Sequence, residues 1–221
     1  MDAGYEIVSL VEYTRRKRSG GRTEKIAALR VDADCTVKKA EVQCGIFDDL
    51  GIKGSFFFRL HAKQYNLLDF ESYRIVKKIR ARGHEIGLHT ELVDQSLIWS
   101  EDPEVLLRRD LAVMVTVWGG QIWGSAAHGD VTGNNNLDFW NGRKPEDFSL
   151  VYEAYDRSPA FGLFYESRYV SDSEWFCWKA YENGVLLNGD HRAPAEHAKD
   201  SPQRLYLLIH SDTYYHRHIH E

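Results

Sequence analysis

Cysteine is scarce in this chain: Cys35, Cys44 and Cys177 are the only three in 221 residues. An odd, sparse set with no Cys-x-x-Cys pair excludes a disulfide framework. No stretch approaches 18 uninterrupted apolar residues, which excludes a membrane-spanning helix of ordinary length. A basic excess is also missing. The formal net charge is −5, without the positive footprint of a nucleic-acid binder. The Gly-Lys-Ser/Thr phosphate cradle and the dinucleotide-binding glycine fingerprint are both absent, although WGGQIWGSAAHG (118–129) is glycine-rich. No internal repeat or heptad is evident. The first residues, MDAGYEIVSLVEYT, lack the basic region and long apolar run of a secretory signal, so the cytoplasm is the expected compartment.

What is present is enough for one large domain. Hydrophobic residues make up 43% and aromatics 13%, which supplies a core and leaves aromatics for a binding cleft. Residues 1–25 read as an N-terminal extension. It holds a short strand in YEIVSLVEY (5–13) and a solvated basic loop, TRRKRSGGRTEK (14–25), whose less favoured reading is phosphate or RNA binding. Residues 26–221 read as a single domain. The pattern predicts strands over 26–31, 54–60, 84–89, 121–127, 161–167, 185–190 and 205–210. It predicts helices over 37–51, 67–83 and 103–115, with a further short helix over 148–156. Pro103 suits a first helical turn. The stretch 173–184 is ambiguous, and HGDVTGNNNLDFWNGRKPED (128–147) is long for a plain connection. Strands that are almost continuously apolar and alternate with helices imply a mostly parallel sheet covered by helices, with its active site beyond the strand C-termini.

Polar side chains cluster where those strands end. Asp32 and Asp34 alternate about Ala33 and face the same way in an extended segment. Two close carboxylates repel, and a cation or a shared proton relieves them; the plainer alternative is an Asp-capped turn. His84 and His89 are five residues apart on one strand, about 16 Å at 3.3 Å per residue, so they cannot share a metal. His89 lies at the functional rim as a metal-ligand or catalytic candidate, and His84 at the other rim as an anchor for the preceding turn. Glu91 and Asp94 offer further oxygens or are solvated loop charges. His128 follows an apolar run between small residues. Asp190 and His210 close two late strands, and an Asp–His pair would orient the imidazole and raise its basicity. Cys35 beside Asp34 has no histidine fixed next to it by sequence. The histidines of TYYHRHIHE (213–221) read as a frayed terminus. Tyr65, Trp99, Trp123 and Trp140 are candidates to stack on sugar rings.

RVDAD (30–34), GSFFF (54–58), GHEIGLHT (83–90) and LYLLIHSD (205–212) together make the chain resemble the polysaccharide deacetylase family of metal-dependent carbohydrate esterases over roughly residues 26–212. The resemblance implies a distorted (β/α) barrel of about seven strands. It implies Asp32 as general base, Asp34 as a metal ligand by a one-residue displacement, His89 as the first metal histidine and His210 as general acid. Asp190 loosely matches the acidic residue that tunes the base. The implied cofactor is a divalent metal, most often zinc, and the implied substrate a small molecule or oligosaccharide with an N-acylated amino sugar, with no nucleic acid or membrane partner. Two departures matter. Position 93, where the family has its second metal histidine, is valine, and the Arg-x-x-Pro-x-Gly segment is replaced by SAAHGD (125–130). The third ligand stays open between His128, Glu91 and water. Three readings follow: an amide hydrolase on an N-acylated sugar, an inactive binding or structural protein on the same fold, and another metal-dependent hydrolase or lyase.

Overall fold

The computed structural model describes residues 3–173 and 176–214; His216, His218 and His220 lie outside the described residues. The strands are β1 (Glu6–Val8), β2 (Ile26–Ala33), β3 (Ser55–Phe58), β4 (Glu85–Thr90), β5 (Gly124–Ala127), β6 (Tyr152–Glu153), β7 (Arg168–Ser171), β8 (Lys179–Glu182), β9 (Val185–Leu186) and β10 (Arg204–His210). The helices are α1 (Leu10–Arg18), α2 (Val37–Asp49), α3 (Phe70–Ala81), α4 (Leu92–Trp99), α5 (Pro103–Trp118) and α6 (Pro194–Lys199). One mixed sheet runs β6-β5-β4-β3-β2-β10-β7-β8-β9, with β1 also paired to β2. Every ladder from β6 to β7 is parallel, and the β7-β8-β9 end is antiparallel. No described helix is long and apolar enough to cross a membrane.

The expected barrel of about seven strands is corrected to a curled sheet of ten. β6 and β7 are far apart in strand order. Even so, the Tyr155 hydroxyl just past β6 lies 3.0 Å from that of Tyr169 on β7, and Tyr206 of β10 donates to the Ala154 carbonyl at 3.3 Å. The sheet therefore rolls up, but among the described residues no ladder joins β6 to β7. Tyrosine side chains bridge the gap. β6 and β8 are strands beyond the expected set, and β1, the short strand expected in the N-terminal extension, joins the same sheet.

Strand alternation sorts the side chains. Leu29, Val31, Phe56, Phe58, Ile86 and Leu88 form the outer face, packed with Val37, Cys44 and Phe47 of α2, Ile75 and Ile79 of α3, and Leu107 and Met114 of α5. The inner face carries Ala28, Phe57, Tyr152, Tyr169 and Tyr206, closed from one end by Leu10, Val11 and Tyr13 of α1. Gly87 is needed where it stands, because a Cβ there would fall 2.3 Å from the Phe57 ring that crosses the inside. Asp69 and Asp102 cap α3 and α5 by accepting two backbone N–H groups each.

Four local readings differ. Residues 14–18 are helical: Ser9 caps α1, Glu12 pairs with Arg16 one turn on, and Leu10, Val11 and Tyr13 bury the helix. Residues 148–156 hold β6 instead of a helix. The strand assigned to 161–167 lies at 168–171, because Gly162 adopts φ +52° and starts a tight 3-10 turn over Leu163–Tyr165. α4 is a further element outside the expected set: Leu92 and Val93 at its start pack into the core, while Leu97, Ile98 and Trp99 at its end are exposed, so its apolar residues form no continuous buried stripe.

Candidate metal centre

The inner-face parity of the strands delivers one set of polar groups to the C-terminal rim. Arg30 and Asp32 face inward on β2, and Asp34 follows with the same parity. His89 faces inward at the end of β4, His128 follows Ala126 of β5, and His210 ends β10 in register with Asp32. Asp34, His89 and His128 each offer a donor atom within 4.8 Å of the others. Val93 sits on α4 with its N–H donated to Asn136 Oδ1, and His128 comes to the site from the neighbouring strand instead.

The His89 ring has a defined direction. Its Nδ1 is 2.8 Å from the Ala126 carbonyl, which can only accept, so Nδ1 carries the proton. Nε2 then lies 3.2 Å from Asp34 Oδ1 and 3.3 Å from Asp32 Oδ2. A neutral ring thus turns a lone pair toward two carboxylates, and Asp34 Oδ1 stays buried without a hydrogen-bond donor. A second proton on His89 or a metal cation resolves this. Burial opposes that proton, but Asp32 and Asp34 outweigh burial and raise the His89 pKa. Burial alone would raise the Asp34 carboxyl; hydrogen bonding and charge from His89, with His210 and His128 behind it, hold it below the usual carboxylate range. The donor set, one carboxylate and two imidazoles with an orphaned buried oxygen, fits a divalent cation of the zinc type.

Supporting groups fix each member. The Arg30 guanidinium donates to both oxygens of Asp32, at 2.8 and 2.6 Å, with both side chains about 1% exposed. Arg59 donates to the Asp34 carbonyl at 3.1 Å and to Glu91 Oε1 at 2.6 Å. Glu91 Oε1 also faces His128 Nδ1 at 3.4 Å, while His128 Nε2 is 3.7 Å from Asp34 Oδ2. Burial works against the Glu91 charge, but His128 and Arg59 pull its pKa down to about 2. Glu91 is thus a carboxylate behind an imidazole, the usual outer partner of a metal-binding histidine. Asp212 Oδ2 accepts the Asp34 and Cys35 N–H groups, each at 3.0 Å. Burial, with Asp212 and Asp34, pushes the Cys35 thiol up and away from the nucleophilic thiolate.

His210 is held by an acid that the sequence reading did not select. Asp172 accepts from His210 Nδ1 at 2.6 Å and from its backbone N–H at 3.0 Å, and the Thr213 hydroxyl reaches its other oxygen at 2.6 Å. Asp172 is fully buried. Burial disfavours the charged ring, but Asp172 overcomes it, aided by Asp34 and Asp32, and the His210 pKa is pushed up to about 9. His210 Nε2 points at Asp34 Oδ2, 3.6 Å away. Asp190 is corrected accordingly. Its carboxylate is gripped by Arg192 at 2.8 to 3.3 Å, in the turn after β9, and does not meet His210. The missed signal was RYVSD (168–172), one more apolar run ending in an acid.

His84 behaves as expected for a structural residue. Gly54 donates to its Nδ1 at 3.3 Å, so the other nitrogen carries the proton and faces Asp48 at 3.3 Å. Cys44, Asp48 and His84 also sit within 4.8 Å of one another. There, however, Lys53 and Arg82 already bind Asp48, at 2.7 and 3.0 Å, and the His84 ring offers no lone pair. This group does not suit a cation. Asp94 turns to the 131–136 loop, accepting from Val131, Thr132 and Asn136.

Beside the centre opens a cleft of about 500 Å³ lined by Asp34, Arg59, Glu91 and His128, with an apolar wall of Ile98, Trp99 and Val131. Of the four aromatic stacking candidates, Trp99 lines this cleft. Tyr65 donates its hydroxyl to the Ala33 carbonyl, Trp123 lies at the opposite rim, and Trp140 packs on Phe139 and Phe148.

No family model and no curated protein matches this sequence. Among solved structures, the chain is similar to a mutant of a CE4 family pseudoenzyme with restored enzymatic activity. The TM-score is 0.48 and the identity 11%, over 86% of this chain and 58% of that one. The chain thus spans a little under three-fifths of that chain's length.

Proposed function

We propose that this chain is a metal-dependent hydrolase that removes an N-acyl group, acetyl in the simplest case, from an amino sugar or related glycan precursor. The observation that carries the reading is the orientation of His89: its Nδ1–H is given to a carbonyl, so its Nε2 faces Asp34 at the point where His128 also arrives. Asp34, His89 and His128 would hold the cation, zinc by the chemistry of the donor set. Such a cation, when bound, polarises the scissile carbonyl and lowers the pKa of water. Asp32, clamped by Arg30, presents its Oδ2 beside His89 Nε2 to accept a proton from the attacking water. His210, oriented by Asp172 and charged at neutral pH, donates from Nε2 to the leaving nitrogen. The cleft with Trp99 on its wall accommodates a sugar ring.

Two observations favour a second reading, a binding protein that does not hydrolyse. Valine stands at position 93, and both oxygens of Asp32 are already bonded to Arg30. Metal analysis after mild purification, with acetate release from N-acetylglucosamine oligomers in the presence of zinc, separates the two. The hydrolase reading expects near-stoichiometric divalent metal, lost in Asp34→Ala and His89→Ala, and acetate release that needs Asp32. A protein that takes up no metal at micromolar zinc sinks it. Metal uptake without acetate release leaves the binding reading standing.

A further inference from the structure

At the N-terminal rim of the sheet a second cavity, of about 400 Å³, opens between α1, the end of α3 and the segments leading into β3, β4 and β5. Its lining includes Glu12, Arg15, Lys53, Arg80, His84 and Trp123. Cations are abundant in the segment TRRKR (14–18), but most are spoken for. Arg16 pairs with Glu6 and Glu12, Lys17 with Glu166, and Arg18 with Glu146. Among the described residues Arg15 has no carboxylate within 4 Å; its guanidinium lies over the Trp123 ring, 5.2 Å from the centroid. Arg80 has none either. Its Nη2 donates to the Gln121 carbonyl at 2.9 Å, and its Nη1 is buried with no acceptor. The loop is shaped around that guanidinium. Gly120 takes φ +68°, and a Cβ there would fall 2.5 Å from Arg80 Nη2.

The remaining charges do not cancel these two. Glu12 is held by Arg16 and Lys53 by Asp48. Burial lowers the pKa of the His84 ring and raises that of Glu85, whose charge is favoured by the Ser55 and Tyr152 hydroxyls, the Val11 N–H and the nearby charge of Arg15. With Glu12 and Lys53 paired to residues outside the lining, Arg15 and Arg80 exceed the one remaining acid, Glu85, so the lining is net positive in a chain whose net charge is −5. Two guanidiniums with no carboxylate within 4 Å among the described residues, on one concave wall, one with a buried N–H that has no acceptor, match an oxyanion with several acceptor oxygens.

We propose that this cavity is a binding site for a phosphate group, with Arg15 and Arg80 as its ligands. The phosphate comes either as the free anion or as the monoester of a sugar-sized molecule, which the volume admits. The site is separate from the metal centre: Glu85 and His89 are four residues apart along β4, about 13 Å.

The test is calorimetric titration of the full chain, at low ionic strength, with inorganic phosphate and with glucose 6-phosphate. Saturable one-site binding is expected, weakened about tenfold or more by Arg15→Gln and by Arg80→Gln, and weakened by added sodium chloride. His89→Ala leaves it unchanged. Tighter binding of the sugar phosphate assigns the site to a monoester, and equal or tighter binding of phosphate assigns it to the free anion. Thermal melting in phosphate-free buffer checks each variant. If Arg80→Gln does not fold, Arg15→Gln decides alone, since Arg15 is exposed on α1. No saturable binding of either probe, or binding equal to the native chain in a folded Arg15→Gln, overturns the proposal.

Discussion

His84 and His89 share one short segment, GHEIGLH, and end up in opposite chemical situations. At the N-terminal rim His84 accepts from a backbone N–H and gives its proton to Asp48, whose charge is already met by Lys53 and Arg82. At the C-terminal rim His89 gives its proton to a carbonyl and faces two carboxylates with the nitrogen that remains. The residue type and the burial are the same, so neither distinguishes anchor from ligand. What distinguishes them is which ring nitrogen the backbone occupies. A histidine whose second nitrogen meets an already neutralised acid is finished, and one whose second nitrogen meets a buried carboxylate oxygen without a donor, as His89 meets Asp34 Oδ1, needs a cation.

The largest effects expected from this contrast are on turnover. Under the proposed hydrolase function, replacing His210 with Ala lowers the rate of amide hydrolysis by about 10²- to 10⁴-fold, the usual worth of a positioned proton donor, while His84→Gln leaves the rate of the folded protein near the native value. Steady-state acetate release measures both; equal losses in the two variants would erase the distinction between the rims. Next in size is metal affinity. Glu91→Gln removes the carboxylate behind His128 and weakens zinc binding by about 10- to 100-fold, the range for such outer partners, whereas Asp48→Asn at the other rim leaves it unchanged. Competition with a chromophoric chelator measures these constants.

A third effect is on pH dependence in the metal-free protein. The folded-state pKa of His210 is about 9, above the ordinary 6.5. The folded state therefore keeps a proton that the unfolded chain releases. The resulting stabilisation is fully present below pH 6.5 and is lost as pH rises through 9, by at most about 3 kcal/mol. Urea unfolding of chelator-treated protein across that window should show the fall, and Asp172→Asn, which removes the partner that raises the pKa, should flatten it. A flat native profile would mean that Asp172 orients His210 without charging it.

The sequence was readable wherever a period ran long enough. β2 to β5 and β10, and α2, α3 and α5, follow from apolar periodicity; alternation puts Asp32 and Asp34 on one face, strand ends put His89 and His210 at one rim, and the register of the sheet brings them together with His128. What was not readable depended on tertiary context. β6 has two residues and so no period. β7 hides behind the more apolar FGLFYES, whose backbone Gly162 diverts into a turn. Asp172 is hidden because the apolar pattern sets its strand seven residues early, and Asp190 closes an apolar run but meets Arg192, two residues on, instead of His210. The role of Arg30 was hidden because a buried arginine is legible only once the acid it clamps is known to be buried too.

The smallest effect separates the rims from the other direction. His84→Ala leaves the Gly54 N–H without its acceptor inside the protein and removes a ring packed 5.3 Å from Phe56 and 6.0 Å from Phe47. An orphaned buried donor costs about 1–3 kcal/mol, so the variant should unfold at lower urea while binding zinc as the native chain does. Zinc should still stabilise it by the same increment, because that gain depends only on affinity and concentration. His89→Ala should reverse the pattern. It removes the ring that two carboxylates crowd, so it should lose the zinc-dependent increment while costing the metal-free protein less than deletion of a buried side chain would suggest. If His84→Ala instead weakened zinc binding, the two rims would be coupled through β4, and the fixed Nδ1–H of His89 would depend on how β4 is anchored five residues away.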